Sequence, residues 1–167
     1  SISSIKSLIN AESKIHGATL SSIHFHEASS FDTVVDIVGT AIALDDLKIF
    51  NNEIITTPVA VGGGTLTFSH GTTSNPASAI LEIFRNSGIT ISGGQVKDEL
   101  TTPTGATLLV NLTKTCSDFY PQMKVTSIGY GAGKKNFDGF SNVLKLVQGE
   151  RTNNFDQDSV QILETNV

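Results

Sequence analysis

His24-Phe25-His26-Glu27 sets two imidazoles and a carboxylate in one short stretch, with Asp32 and Asp36 close behind. Imidazole and carboxylate donors without thiolate suit borderline divalent ions such as nickel, zinc, cobalt or manganese, and give no support to a sulfur-bound cluster. If residues 23–27 are extended, His24 and His26 project to one side and Glu27 to the other, because side chains alternate along a strand. The two rings could then grip one ion while Glu27 orients a ligand or binds elsewhere. A metal site needs at least one more donor. Asp32, Asp36, His70 and Glu99 stand in loops or at helix starts, where binding groups usually sit. Taken singly, Asp32 also reads as a helix cap and His70 as a turn residue.

Two glycine runs, Gly62 to Gly64 and Gly129 to Gly133, read as loops that could present backbone amides to a phosphate. Thr101, Thr102 and Thr104 around Pro103 supply hydroxyls and free amides at a helix start, which makes either an anion cradle or an ordinary cap. Neither glycine run ends in Gly-Lys-Ser or Gly-Lys-Thr, so no Walker loop is present, and neither has the setting of a dinucleotide fingerprint. The absence of a Gly-x-Ser-x-Gly elbow argues against a serine hydrolase.

The elements that must position these groups follow from periodicity. Ile2, Ile5, Leu8, Ile9 and Ile15 recur at roughly helical spacing, predicting a helix over 3–16 that stops at Gly17. Ser29 and Asp32 form a capping-box pattern. Val34, Val35, Ile37, Val38, Ala41, Ile42 and Leu44 then predict a broad apolar helix face to about Leu47, with Asp32, Asp36, Gly39 and Ala43 on the other side. Residues 53–61 predict a strand held at an edge or bulge by Pro58. A strand over 65–69, a helix opened by Asn75-Pro76 and ending near Arg85, and short strands at 89–92 and 95–100 come next. A helix from Pro103 through Leu112, a segment from Met123 to Ile128 ahead of the second glycine loop, and strands at 142–149 and 159–164 complete the chain. The order is irregular, so the expected class is α+β (mixed α/β), with helices packed on one mixed sheet.

A chain of 167 residues is the size of one domain. Residues 1–150 are expected to form the core domain, and 151–167 a polar linker and a final strand. The net charge of -5 and the scattered basic residues argue against nucleic-acid binding. No run approaches the roughly 18 consecutive apolar residues of a membrane span. A lone Cys116, placed by the pattern at the end of an apolar helix, closes no intrachain disulfide and fits a reducing, cytoplasmic setting. A metal-independent nucleotide-binding or assembly domain is the competing reading of the same residues.

In order along the chain, His24-Phe25-His26-Glu27, Phe31 to Gly39, Gly62-Gly63-Gly64-Thr65, His70-Gly71, Thr102-Pro103-Thr104-Gly105-Ala106, Ile128 to Gly133 and Asn142-Val143-Leu144 resemble the LarC family of nickel-insertion proteins. The family's usual Val-Gly-Ala and Gly-Glu-Leu stand here as Ala28-Ser29-Ser30 and Asp98-Glu99-Leu100. The resemblance implies a cyclometallase that loads nickel into a pyridinium mononucleotide bearing two thiocarboxylates. Its product is the nickel-pincer cofactor of lactate racemase. It implies CTP and a divalent metal as requirements of the parent protein, and an internal fragment that lacks N- and C-terminal segments, inactive alone, with a homo-oligomer left open. On this reading His24, His26, His70 and Asp32 hold the metal, and Glu27, Asp36 and Glu99 are candidates for orienting groups or bases. Thr101, Thr102, Thr104, Gly105, Gly62, Gly63 and Gly131 would hold the nucleotide.

Overall fold

Pro58 splits the Ile- and Val-rich run after Asn52 into β1 (Glu53–Thr56) and β2 (Val59–Gly62), which belong to different sheets. A proline has no N–H to give to a ladder, so the strand predicted over 53–61 cannot continue through it. On either side the backbone is recaptured by different partners: Thr57 N–H donates to the Leu163 carbonyl at 3.1 Å and Val59 N–H to the Thr90 carbonyl at 2.9 Å. The computed structural model describes residues 2–17, 31–68, 71–152 and 159–165.

The main sheet also contains β6 (Thr115–Cys116), β7 (Met123–Ala132), β8 (Val143–Arg151) and β9 (Ser159–Thr165), in the order β6-β1-β9-β8-β7. β1 runs parallel to both β6 and β9, whereas β9, β8 and β7 form an antiparallel meander. Ser159–Thr165, which the sequence reading set apart from the core with the polar stretch before it, lies between β1 and β8. Two small sheets accompany it: β2 pairs in parallel with β5 (Ile91–Gly93), and β3 (Thr65–Phe68) pairs antiparallel with β4 (Gly71–Ser74).

Among the described residues four α-helices accompany these strands: α1 (Ile2–His16), α2 (Phe31–Asp46), α3 (Ser78–Phe84) and α4 (Pro103–Leu112). The architecture is α+β with a mixed main sheet, as expected, but with two subsidiary sheets in addition. One core cluster joins Leu8 of α1, Ile54 of β1, Val59 of β2, Ile80 of α3, Leu109 of α4 and Leu163 of β9. Fully burying a side chain such as Ile80 is worth about 1.5–3 kcal/mol, so this layer holds the helices to the sheet. A smaller cluster of Ile55, Val147, Val160 and Ile162 lies on the opposite face, as alternation along a strand requires.

Several local expectations change. α1 buries Ser4, Leu8 and Ala11 and leaves Ile2 and Ile15 exposed, because small side chains let it approach α3 and α4. α2 buries only Thr33 and Ile37, and its remaining valines and Ile42 are largely exposed. Asn75-Pro76 does not open α3, which starts at Ser78, because the Asn75 amide is engaged by distant carbonyls. Residues 95–100 form bends with a single bridge between Gly62 and Glu99 rather than a strand. Cys116 is half-buried in β6, not in a helix, and its Sγ accepts from the Thr90 N–H.

The second glycine run is strand, not loop, as far as Ala132: Gly129 and Gly131 face Leu146 and Leu144 in the β7–β8 ladder. Ladder hydrogen bonds use only backbone groups, so glycines join them once a long partner such as β8 lies alongside. No described helix is long and apolar enough to cross a membrane.

Candidate functional site: a cavity between two helices and the main sheet

α2, α4 and the helix-covered face of the main sheet enclose a cavity of about 620 Å³. From α2 it takes Asp36, Thr40 and Leu44, a line of residues four apart that must share one helix face. Asp36 is exposed at its position, and Leu44 packs against the core. From the start of α4 it takes Thr101, Thr102 and Gly105, followed by Leu108, Leu109 and Leu112. The sheet contributes Ile54, Gln161 and Leu163 in its middle and Gly131, Leu144 and Leu146 toward its edge. The walls are mostly apolar with a few convergent polar groups, the usual make-up of a small-molecule site.

Thr102 explains where α4 begins. It has extended backbone angles and its Oγ1 accepts from the Gly105 N–H at 3.2 Å, with Pro103 in the first turn. A capped start of this kind concentrates partial positive charge from the aligned peptides, which favours a phosphate or carboxylate beside it. Thr101 is turned inward and its hydroxyl donates to the Ala60 carbonyl at 2.7 Å, which ties the loop before α4 to β2.

Gly131 has open space where a Cβ would stand. Its register partner is Leu144, which lines the cavity, and residues directly opposite in a ladder share a face. Gly129 and Gly131 therefore leave that side of β7 bare. Beyond the strand, the Gly133 N–H donates to the Asn142 carbonyl and Asn142 Nδ2 donates to the Lys135 carbonyl, closing the 133–142 loop at the cavity's edge. Lys135 Nζ reaches Asp98 Oδ1 at 2.7 Å, and that bond is the main reason the Asp98 carboxyl is held below its ordinary value.

Of the residues singled out by sequence, the cavity brings together Asp36, Thr101, Thr102, Gly105 and Gly131. Asp32 is exposed on α2, and neither it nor Glu99 nor Thr104 is among the lining residues. Gly62 and Gly63 stand instead against the 94–98 segment: Gly63 N–H donates to the Asp98 carbonyl, and a Cβ on Gly62 would overlap that same carbonyl. His24, His26, Glu27 and His70 lie outside the described residues. Among the described residues no group of three or more His, Cys, Asp or Glu is placed to hold a metal ion, and His16 is the sole histidine.

Sequence reasoning did not single out Thr40, Asn142, Leu144 or Gln161 as site residues. For Gln161 one signal was available, a carboxamide within the apolar run Val160-Gln161-Ile162-Leu163. Asn142 and Leu144 stood in a motif of the family resemblance without a role assigned to them, and only the fold brings Thr40 to the cavity.

Comparison with known proteins bears on what such a cavity serves. The pyridinium-3,5-bisthiocarboxylic acid mononucleotide nickel insertion protein of Clostridium kluyveri is 43% identical over 161 residues, which cover 96% of this chain and 39% of that protein. The protein of the same name from Staphylococcus epidermidis is 41% identical over 158 residues, covering 94% of this chain and 38% of its own length. The chain thus spans about two-fifths of the length of these relatives. No solved structure matches it. The sequence profile of the nickel insertion proteins matches residues 1–167, and the chain belongs to that family.

Proposed function

We propose that this chain serves nickel insertion into a pyridinium bisthiocarboxylate mononucleotide, and that the cavity between α2, α4 and the sheet holds this organic substrate. The observation that carries the reading is the composition of that cavity in a chain of this family: apolar walls for a flat ring, and polar groups gathered at Asp36 and at the capped start of α4. The substrate phosphate would lie at Thr102 and Gly105, where the helix dipole favours an anion, with Thr104 in the same turn but off the cavity wall. Thr101 positions that turn, Gly131 leaves room for the ring, and Gly62 and Gly63 shape the neighbouring loop.

Nickel enters as a substrate. His24, His26, His70 and Asp32 are the proposed ligands that deliver it, as neutral imidazoles and a carboxylate. Forming a carbon–nickel bond releases the proton of the ring carbon, so a base is required; Asp36, at the cavity, is the first candidate, with Glu27 and Glu99 as alternatives. In the finer reading the product is the nickel-pincer cofactor of lactate racemase. CTP and its divalent metal are used by a part of the relatives' length that this chain does not span, and the protein works in the cytoplasm.

Nickel titration tests the metal half directly. The purified chain is expected to take up nickel, and the His24→Ala, His26→Ala double variant to lose most of that uptake. Because neutral imidazole is the ligand, uptake should weaken as pH falls through about 6 to 7. Equal uptake by the two proteins would remove the histidine pair from the reading.

A further inference from the structure

Gln161 is fully buried in β9, and among the described residues neither its Oε1 nor its Nε2 has a hydrogen-bond partner. Its flanking neighbours Val160 and Ile162 face the opposite side of the sheet, in the cluster with Ile55 and Val147. Gln161 therefore shares the helix-covered face with Leu163, and it sits in register with Ile54. All three border the cavity. A buried carboxamide with both polar atoms unmatched is unfavourable, and an apolar side chain of the same length would fill this place at less cost. A ligand in the cavity would supply the missing partners by displacing the wall atoms that now cover the carboxamide.

We propose that Gln161 is a positioning residue that recognises the acid group on the pyridinium ring. This inference rests on the function proposed above. On a pyridinium-3,5-bisthiocarboxylate, the edge between the ring nitrogen and a substituted carbon presents an acceptor beside a weak donor. The acceptor is the thiocarboxylate oxygen, and the donor is the ring C–H polarised by the positive nitrogen. A carboxamide offers the complementary pair: Nε2 donates to the oxygen and Oε1 accepts from the C–H, a weaker contact of a recognised kind. Holding the oxygen on that edge turns the sulfur toward the carbon between the two thiocarboxylates. That carbon is the position a metal bonded to carbon and to both sulfurs must occupy. Insertion there replaces the C–H bond with a carbon–nickel bond and passes the proton to the base, without oxidation or reduction of the ring.

The test compares the full chain with Gln161→Met, a near-isosteric apolar replacement, using two probes: a pyridinium-3-carboxylate mononucleotide and the pyridinium mononucleotide that lacks the carboxylate. The variant is expected to melt at the same or a higher temperature than the wild type. It should lose roughly tenfold or more in affinity for the carboxylate probe, the scale of a hydrogen bond to a charged group, and bind the plain probe as the wild type does. If the wild type binds the carboxylate probe and the variant binds it equally well, the role of Gln161 is overturned while the proposed function stands. A variant that melts lower and weakens for both probes in parallel shows a structural carboxamide and likewise overturns it. A wild type that binds neither probe overturns both the inference and the assignment of the cavity to the substrate.

Discussion

Asn75 Nδ2 donates to the main-chain carbonyl of Asp98 at 2.8 Å, and the same amide group reaches the carbonyls of Val61 and Gly63 at 3.2 Å each. One side chain thereby fastens the end of β2, the glycine turn after it and the 94–98 segment. Asn75→Ala takes a donor from three carbonyls, two of which keep a main-chain donor (Gly63 N–H on Asp98 and Leu100 N–H on Val61), and should destabilise the chain by about 1–3 kcal/mol. Asn75→Asp should cost more, since it points carboxylate oxygens at carbonyl oxygens. Urea unfolding of the two variants checks the order; an aspartate variant as stable as the wild type would contradict it.

Gly131 supplies a substitution that separates binding from folding. With open space at its Cβ and no left-handed backbone angle, Gly131→Val should fold at least as well as the wild type, because a β-branched residue suits a strand better than glycine. The added methyls project on the cavity side of β7, so binding of a pyridinium mononucleotide should fall. Melting curves with and without the nucleotide read both effects, and undiminished binding would place the ligand elsewhere.

The cap of α4 gives a graded case. Thr102→Ala removes the acceptor for the Gly105 N–H and should cost about 0.5–2 kcal/mol, whereas Thr102→Ser keeps the bond and most of the stability. Nucleotide affinity should follow the same order, measured by calorimetry.

On the other face of the sheet, Glu164 accepts from Lys145 Nζ at 2.7 Å and from the Tyr120 hydroxyl. Burial opposes ionisation of Glu164, but the hydrogen bonds from Lys145 and Tyr120 prevail and hold its carboxyl below the ordinary value of 4.5. A lowered folded value means a contribution to stability that is present above 4.5 and lost as pH falls through that lowered value. Lys145 is raised, chiefly by its bond to Glu164, so its own contribution holds below its ordinary 10.5 and is lost as pH rises through the raised value. Glu164→Gln should be less stable than the wild type at neutral pH, and the gap should close at strongly acidic pH. Melting temperatures across that range check it, and a gap independent of pH would show that the effect is packing rather than charge.

Much of this architecture was legible in the residues. α1 stops where Gly17 takes a left-handed backbone angle, and α4 starts at the Thr102-Pro103 signal. What escaped was decided by partners far away in sequence. Gly129 to Ala132 read locally as loop, and only β8 across the ladder makes it strand. Asn75-Pro76 carries a helix-start pattern, yet Asn75 serves carbonyls of the β2 turn and of the 94–98 segment instead. At the site, Asp36 and the threonines before α4 were visible from their types and setting. Gln161 was not singled out, because its meaning comes from being buried with no partner.

The central place of β9 has a bearing on how the molecule is made. β1 finds its parallel neighbour through Thr56 and Leu163, 107 residues apart, so a ribosome must deliver every residue between them before that slot in the sheet can be filled. Until then β1 and β8 expose unpaired backbone edges, and contacts of such long range are slow to form. Chaperone dependence and a tendency to clump should therefore be greatest in nascent chains halted short of Ser159.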